Sequence, residues 1–382
     1  MSEIRVNSLG NETNTGGPVL SGITTFSGQQ YFIPPTGTTA ERPSGCPPGS
    51  IRFNTDSSKL EYWNGLVWLE FEASSEELGD QNNTNSSGGT GVRAVISGGF
   101  PSPAVTNVIA YVTISTLGNA QDFGDLVTTG AGSAGSSSRT RGIIFTNWNG
   151  SANINVIQFI TISSTGDSQD FGDTSVTRRN SAGASNQTRG LIVGGYTSTG
   201  VNVIDYITIA STGDAQDFGD LTSATRYGSG AVSSAVRACV GGGSNPVTNT
   251  IQYVTISSTG NSQDFGDRTT VRSQVTGCSS PTRGLFAGGY NPALTNIIDF
   301  ITIASTGNAQ DFGDLTAVRS RAGGTSSSIR GLFVGGTSPD TSTNTDSIDF
   351  VTIATTGNAN DFGNLVSARQ FPSCVSNGHG GL

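Results

Sequence analysis

Histidine and positive charge are scarce in the sequence. Its 382 residues include one histidine, His379, and charged residues make up 12% of the chain. A single histidine near one end excludes a Ser-His-Asp triad in the body of the chain and metal sites built from several histidines. The net charge is −9, and the 19 Lys and Arg residues form no basic cluster. We therefore expect no nucleic-acid-binding groove, because such a groove follows phosphates with clustered positive charge.

Long apolar runs and a regular cysteine pattern are also missing. No run approaches the roughly 18 apolar residues of a membrane span, and the start "MSEIRVNSLGNE" has no apolar signal-peptide core. Cys46, Cys239, Cys278 and Cys374 have no CxxC spacing. We expect these cysteines to be small buried thiols rather than disulfide or metal ligands. The chain is therefore predicted to be made in a reducing cytoplasm, without membrane insertion.

A 47–50-residue repeat is the dominant positive signal. The tripeptide Asp-Phe-Gly recurs with its aspartate at Asp122, Asp170, Asp217, Asp264, Asp311 and Asp361. Each repeat contains a small polar segment, an apolar run such as "RGLFVGG", an alternating segment such as "SIDFVTIATTG", and a short segment with one aromatic. These are signals of a four-stranded antiparallel meander, and the period is typical of propeller blades. The Gly/Ala/Ser segments fit the crowded innermost strands.

The two ends of the repeat region predict how it closes. The first repeat begins at an apolar run with no small polar segment before it, whereas the last repeat continues into "RQFPSCVSNGHGGL". This C-terminal segment is predicted to be the missing inner strand of the first blade, which leaves no open sheet edge. The fold class predicted for residues 92–382 is therefore an all-β, six-bladed β-propeller closed by its C-terminal strand.

The repeat resembles the kelch motif. An arginine before the inner strand is followed eleven positions later by a second one, and a Gly pair ends the next strand. The Arg pairs are Arg178/Arg189, Arg226/Arg237, Arg272/Arg283 and Arg319/Arg330. Two departures make the chain a divergent relative: Phe replaces the late Trp of kelch repeats, and Thr146-Asn147 replaces one Gly pair. The resemblance implies a fold and carries no activity.

Residues 1–72 lack the repeat. They begin with an extended arm rich in Gly, Pro, Thr and Ser, and continue as "GSIRFNTDSSKLEYWNGLVWLEF", which predicts a small β-meander with a two-residue turn at Asn64-Gly65. Such an arm is too short for a core of its own, so we expect it to be ordered against another protein or against copies of itself. Residues 73–91 are predicted to be a flexible linker.

The N-terminal region resembles virion structural proteins of tailed phages, especially tail-fibre and appendage proteins of marine cyanobacterial phages. The stretches "RVNSLGNETNTGGPVLSGITTFSG" and "GSIRFNTDSSKLEYWNGLVW" carry the likeness. It implies a virion component in which residues 1–72 bind other virion proteins, in several copies, while the C-terminal domain projects.

The repeated aspartates allow a metal interpretation and a structural one. Asp167, Asp170 and Asp173 have a D-x-x-D-x-x-D spacing that offers oxygens to calcium. However, Asn replaces the first of these aspartates in four other repeats. This favours a turn in which Asp caps the backbone, Gly takes a positive φ and Phe fills the gap between blades. We expect no metal and no cofactor.

A binding surface is predicted from the residues that follow the Gly pair. Phe100, Trp148, Tyr196 and Tyr290 occupy this position in four of the six repeats, and variable loops follow them. On one face of a propeller these rings would stack on sugars or anchor a protein, or alternatively pack on the neighbouring blade. Glutamate is scarce in the repeats, so a pair of glycosidase carboxylates is not expected.

The function predicted from the sequence is that of a non-enzymatic phage virion protein of fibre or appendage type, which recognises a host-surface glycan or protein. Two alternatives stay open. One is a purely structural capsid, collar or baseplate decoration protein without a ligand. The other is a cellular kelch adaptor, which the N-terminal likeness disfavours.

Overall fold

The computed structural model describes residues 34–57, 59–71, 92–132, 134–225, 230–244, 246–338 and 343–382. The chain divides into two compact units, Met1–Ser75 and Glu76–Leu382. Most of the predicted arm (residues 1–33) and the predicted linker (residues 73–91) lie outside the described residues. The described residues form strands and one short 3₁₀ helix but no α-helix, which confirms the all-β prediction.

The first unit contains one four-stranded sheet. Its elements are β1 (Thr36–Gly37), the 3₁₀ helix η1 (Thr39–Glu41), β2 (Ile51–Asn54), β3 (Lys59–Trp63) and β4 (Trp68–Glu70). The order is β1-β2-β3-β4. The predicted two-residue turn at Asn64-Gly65 is instead a four-residue loop, since β3 ends at Trp63 and β4 begins at Trp68. The Asn64 Oδ1 stabilises this loop by accepting hydrogen bonds from the backbone N–H groups of Leu66 and Val67, both at 2.8 Å.

The two faces of this sheet differ in polarity. On one face the buried carboxylate of Glu61 accepts a hydrogen bond from Arg42 at 2.6 Å and lies 3.5 Å from Arg52. On the other face Ile51, Tyr62 and Leu69 form one cross-strand row. Ile51 and Leu69 are exposed, as are Leu60 and Phe71 beside them. The small sheet therefore covers only its polar side within the described residues.

The second unit contains six four-stranded antiparallel sheets. The strands of its first half are β5 (Arg93–Ser97), β6 (Val108–Thr113), β7 (Gln121–Asp125), β8 (Ala134–Ser137), β9 (Arg141–Phe145), β10 (Val156–Thr161), β11 (Gln169–Asp173), β12 (Ala182–Ser185), β13 (Arg189–Val193), β14 (Val201–Thr208) and β15 (Gln216–Thr225). Those of its second half are β16 (Gly230–Ser233), β17 (Arg237–Gly241), β18 (Thr250–Thr255), β19 (Gln263–Asp267), β20 (Thr276–Ser279), β21 (Arg283–Ala287), β22 (Ile297–Thr302), β23 (Gln310–Asp314), β24 (Gly323–Ser326), β25 (Arg330–Val334), β26 (Ser347–Thr352), β27 (Asn360–Asn364) and β28 (Ser373–Ser376).

Five of these sheets are formed by four consecutive strands, from β8–β11 to β24–β27. The sixth has the order β28-β5-β6-β7, with Ser373 opposite Ser97 and Ser376 opposite Ala94. This pairing of the C-terminal strand with β5 is the one predicted from the sequence. The first strands also contact one another in the cyclic order β8, β12, β16, β20, β24, β28 and back to β8.

Six apolar cores lie between consecutive sheets, and each combines residues from two of them. In β13, Leu191 packs toward one neighbouring sheet while Ile192 packs toward the other. The apolar runs of the second strands therefore have both faces buried, which explains why they are continuous rather than alternating. The sixth core joins β25 and β26 to β5 and β6.

The Asp-Phe-Gly tripeptide lies in the fourth strand of each sheet. Phe123 is the extra residue of a β-bulge, since Ile109 pairs with Gly124 and Ala110 with Asp122. The bulge directs the Phe123 ring into the core, as predicted. The prediction that the glycine makes a turn is wrong: Gly124 lies inside β7 with φ 150°, and a Cβ there would lie 2.4 Å from Gly166 O of the next sheet.

The predicted role of the aspartate as a cap belongs to a different residue. Asp122 is exposed. The capping oxygen comes from the residue after each Thr-Gly or Leu-Gly turn: Asp167 Oδ1 accepts a hydrogen bond from the backbone N–H of Asp125 at 2.9 Å, and Asn119 does the same for Asn364 at 3.0 Å. A neutral amide and a carboxylate serve equally in this contact, so the repeat does not require a charge here.

Arginines tie each sheet to the next. The Arg141 guanidinium lies 4.5 Å from the centre of the Phe159 ring, and its Nη1 donates to Ile209 O and Ala210 O of the following sheet at 3.1 and 3.0 Å. The same contacts recur around the unit, and Arg330 donates to Ile114 O of the β28-β5-β6-β7 sheet. The second arginine of each predicted pair is therefore a connector between sheets.

In the three pairs whose first arginine is described, that arginine is buried. Arg178 is bonded to Asp205 at 2.8 Å, Arg272 to Asp299 at 2.8 Å, and Arg319 to Asp349 at 2.9 Å, and all six side chains are buried. The partner aspartate comes from the third strand of the same sheet. These ion pairs fix the segments that lead into β12, β20 and β24.

Candidate ligand-binding site

The Gly pair turns the chain so that the residue after it bonds back to its own sheet. Gly98 and Gly99 have φ values of 60° and 104°. Phe100 then exchanges backbone hydrogen bonds with Gln370, the residue that follows the buried arginine. Tyr196 is bonded in the same way to Arg179, and Tyr290 to Ser273. Each predicted aromatic is thus held beside the segment that enters a first strand.

The next residue of that segment has a left-handed backbone. The φ values are 55° for Asn180, 58° for Gln274, 57° for Arg321 and 55° for Phe371, whereas Gly132 has 65°. Left-handed backbone costs roughly 1 kcal/mol or more for each residue other than glycine. Glycine is the less costly residue here, yet four repeats carry a side chain. Strain retained at equivalent positions indicates that these side chains serve a function.

These residues meet at one end of the first strands. The backbone N–H of Asn180 donates to Gly132 O at 2.8 Å, that of Arg321 donates to Gln274 O at 3.2 Å, and that of Phe371 donates to Arg321 O at 2.8 Å. The bonds run from one sheet to its neighbour. Side chains that are 47 to 50 residues apart in sequence therefore line a common opening.

A cavity of about 380 Å³ lies at this opening. Its lining consists of Phe100, Ala131, Gly132, Trp148, Arg179, Asn180, Gln274, Arg321, Gln370 and Phe371. The volume falls within the range of about 300–1,000 Å³ that is usual for small-molecule sites. Among the described residues, three aromatic rings, two guanidinium groups and three amides face it, and none of this described lining is a carboxylate.

The rings and the guanidinium groups contact one another. The Phe100 and Trp148 ring centres are 5.9 Å apart. The Arg179 guanidinium lies 5.7 Å from the Trp148 ring and 5.2 Å from the Tyr196 ring, and its buried Nε has no hydrogen-bond partner among the described residues. A buried donor in that state is costly, and an oxygen acceptor from a ligand would satisfy it.

Arg321 is held from two sides. Its Nε donates to Gln274 Oε1 at 3.0 Å, and its Nη1 donates to Gln370 Oε1 at 2.9 Å. The guanidinium also lies 5.2 Å from the Phe371 ring. Gln370 accepts a further hydrogen bond from Thr337 Oγ1 at 3.1 Å. The cation is therefore positioned before any ligand arrives.

The opposite end of the first strands is narrow and closed. Six serines there bond from strand to strand; for example, Ser185 Oγ donates to Ser137 O at 3.0 Å, and Ser326 Oγ donates to Ser279 O at 2.6 Å. His379 lies among them, with its Nε2 3.2 Å from Ser137 O. The cavity at this end measures about 50 Å³. Space for a ligand is therefore found at the wide end.

The structure places the four predicted site residues differently. Phe100 and Trp148 line the wide cavity and contact each other. Tyr196 is not part of the lining, but its ring contacts the Arg179 guanidinium, which is. Tyr290 is 37% exposed and is not part of the lining.

Sequence reasoning missed the polar half of the site. Arg179, Gln274, Arg321, Gln370 and Phe371 directly precede the small-residue segments and vary between repeats, while the buried arginine before them is largely constant. Variable residues that directly follow a constant structural arginine are the sequence feature that could have indicated these site residues.

The four cysteines lie outside the described lining of this cavity. All four cysteines are free thiols, and burial raises the pKa of Cys239 and of Cys374 to about 12. No cluster of three or more potential metal ligands occurs among the described residues. The part of the chain that the structure describes also has no helix with the length and apolar character to cross a membrane.

Comparison with known proteins gives no relative from which a function can be transferred: no protein-family model matches the chain, and no curated protein matches it in sequence. The interpretation of the site therefore depends on its geometry.

Proposed function

We propose that the six sheets are the blades of a closed, kelch-like β-propeller. The cyclic contacts of the first strands, the pairing of β28 with β5, and the arginine contacts that continue from the β24–β27 sheet to the β28-β5-β6-β7 sheet support this architecture. In this arrangement the wide cavity lies on the axis at the face that carries the variable loops, and the serines surround the other end of the axis.

The function that this geometry supports best is recognition of a surface ligand by a non-enzymatic virion protein of fibre or appendage type. One observation carries the proposal: a cavity of about 380 Å³ lined by rings, guanidinium groups and amides, at positions where the repeats differ. Lining residues common to every repeat would be expected to stabilise the fold, whereas these lining residues differ from one repeat to another. The partner is a host-surface glycan or protein.

Attachment to the particle is assigned to residues 1–72. The apolar row of Ile51, Tyr62 and Leu69, in which Ile51 and Leu69 are exposed, supports this assignment, since exposed apolar faces usually mark protein contacts. Other virion proteins are the proposed occupants, and the chain would be present in several copies. Its location is then the virion, after synthesis in the host cytoplasm.

The test is binding of the labelled full-length chain to a panel of marine cyanobacterial cells. Trp148→Ala removes a ring of the cavity and is expected to abolish binding. Tyr290→Ala removes the ring at the equivalent position outside the lining and is expected to leave binding unchanged. Thermal unfolding of each variant checks that the fold is intact.

Two results would contradict the proposal. If the native chain binds none of the cells, the purely structural capsid, collar or baseplate role is favoured. If Trp148→Ala binds as well as the native chain, recognition takes place elsewhere on the molecule.

A further inference from the structure

We infer that the wide cavity binds an acidic sugar, that is, a saccharide bearing carboxylate or sulfate groups. This inference rests on the proposed function and narrows its ligand class. It assigns Arg179 and Arg321 to the anionic group, and Trp148, Phe100 and Phe371 to the face of a sugar ring.

The charge balance of the cavity supports an anion. The chain carries a net charge of −9, and residues 92–382 contain no lysine, yet two guanidinium groups line this cavity and none of its described lining residues is a carboxylate. Elsewhere in the second unit, the buried Arg178, Arg272 and Arg319 each have an aspartate partner. Arg179, by contrast, forms no ion pair within the described residues, and its buried Nε has no hydrogen-bond partner there.

The orientation of the two guanidinium groups supports a carboxylate or sulfate in particular. Arg179 is held between two rings, with a buried Nε that has no hydrogen-bond partner among the described residues. Arg321 is fixed by two amide oxygens. A planar guanidinium that is already held in place matches planar or tetrahedral oxyanions at a low entropic cost.

The remaining lining supports a sugar. Aromatic rings at the wall offer flat faces for the C–H surface of a pyranose, and the amides of Gln274, Gln370 and Asn180 offer donors and acceptors for hydroxyl groups. An apolar anion would form no hydrogen bonds with these amides beyond those they already make. The side chains of Gln274, Arg321 and Phe371 are also retained at a strained backbone position, as expected for residues kept for a ligand.

The experiment is titration calorimetry of the full-length chain with three probes. Trigalacturonic acid tests the carboxylate, its fully methyl-esterified form is the neutral matched control, and a sulfated galactose trisaccharide tests the sulfate. The native chain is expected to bind at least one acidic probe about tenfold or more tightly than the neutral ester. Which acidic probe binds identifies the source of the charge.

Variants locate the binding. Arg179→Gln and Arg321→Gln are each expected to weaken binding of the acidic probe about tenfold or more, whereas Arg139→Gln, an exposed arginine outside the cavity, leaves binding unchanged. If Arg321→Gln loses its folded state, Arg179→Gln carries the test, since Arg179 Nε forms no hydrogen bond within the described residues.

Equal binding of the acidic and neutral probes, binding unaffected by Arg179→Gln, or no binding of either acidic probe would each overturn the inference. Cell binding separates this failure from that of the proposed function. If Trp148-dependent binding to cells persists while acidic sugars fail, the recognition function stands and only the ligand class is wrong.

Discussion

The small N-terminal sheet and the six repeated sheets differ in how they cover apolar strands. In the repeated unit each sheet has a neighbour on both sides, so Leu191 and Ile192 are buried against different sheets. In the small sheet the buried Glu61 and its arginines occupy one side, while Leu69 and its neighbours remain exposed on the other. Repetition therefore covers both faces of each sheet, whereas the small sheet has one face covered within the described residues.

The difference assigns a separate role to each unit. A sheet covered on both sides is self-sufficient, and its loops are available for variation, as the cavity residues show. A sheet covered on one side has an incomplete core. The same contrast predicts that substitutions in the repeated unit lower its free energy of unfolding strongly. Comparable substitutions on the exposed face of the small sheet should lower it only slightly.

Removal of residues 369–382 is expected to have the largest effect. The deletion removes β28, which pairs with β5 and contacts β8 and β24, so β5 becomes an open edge and two cores lose a wall. We expect the cooperative unfolding transition of the repeated unit to disappear in circular dichroism. Deletion of residues 1–71 is the control and should leave that transition in place. A truncated chain with an unchanged melting temperature would contradict the proposed closure of the propeller.

Removal of one partner of a buried ion pair is expected to come next. Asp299→Ala leaves Arg272 buried without its counter-charge, which typically costs about 3–5 kcal/mol. Urea unfolding measures the loss. The double variant Arg272→Met with Asp299→Leu is expected to recover most of it, because apolar replacement of both charges is often nearly neutral. A double variant as unstable as the single one would show that geometry, rather than uncompensated charge, is responsible.

Truncation of a leucine compares the two units directly. Leu285 in β21 is 0% exposed, whereas Leu69 in β4 is 38% exposed. Leu285→Ala is expected to lower the free energy of unfolding of the repeated unit by about 2–5 kcal/mol. Leu69→Ala should change the stability of the small sheet by about 0.5 kcal/mol or less. If urea unfolding gave the same loss of free energy for both variants, the Leu69 side chain would be buried in solution and this face would not be exposed.

Much of the fold could be predicted because the repeat multiplies weak local signals. One apolar run ending at a Gly pair is ambiguous, but its recurrence predicts four strands in each repeat and a phenylalanine ring between neighbouring sheets. Details that depend on close approach were missed. Gly124 was assigned to a turn because nothing local reveals that Gly166 O of another sheet lies where its Cβ would be.

The binding site was only half predicted for a related physical reason. Trp148 and Phe100 stand out as large residues at a marked position. Arg321 gains its meaning from Gln274 and Gln370, which are 47 and 49 residues away in sequence and belong to neighbouring sheets. The placement of neighbouring sheets and the left-handed backbone of the lining residues decide which side chains share the cavity. Neither can be read from the residues that are adjacent in sequence.

The smallest expected effect is a loss of stability in acid that is caused by His379. Burial lowers the pKa of this imidazole to about 4, from a usual value near 6.5, and its Nδ1 accepts a hydrogen bond from the Gly381 N–H at 3.0 Å, so the folded state holds it neutral. The unfolded chain takes up the proton first as pH falls below about 6.5, so stability declines from there and levels off below about 4. The loss attributable to this half-buried ring is about 1–3 kcal/mol. Urea unfolding of the native chain and of His379→Gln at pH 7.5 and pH 5 measures it: the difference between the two proteins should shift in favour of the variant at pH 5. A difference independent of pH would mean that water reaches the ring at the serine end, and that this end is less tightly closed than the cores between the sheets.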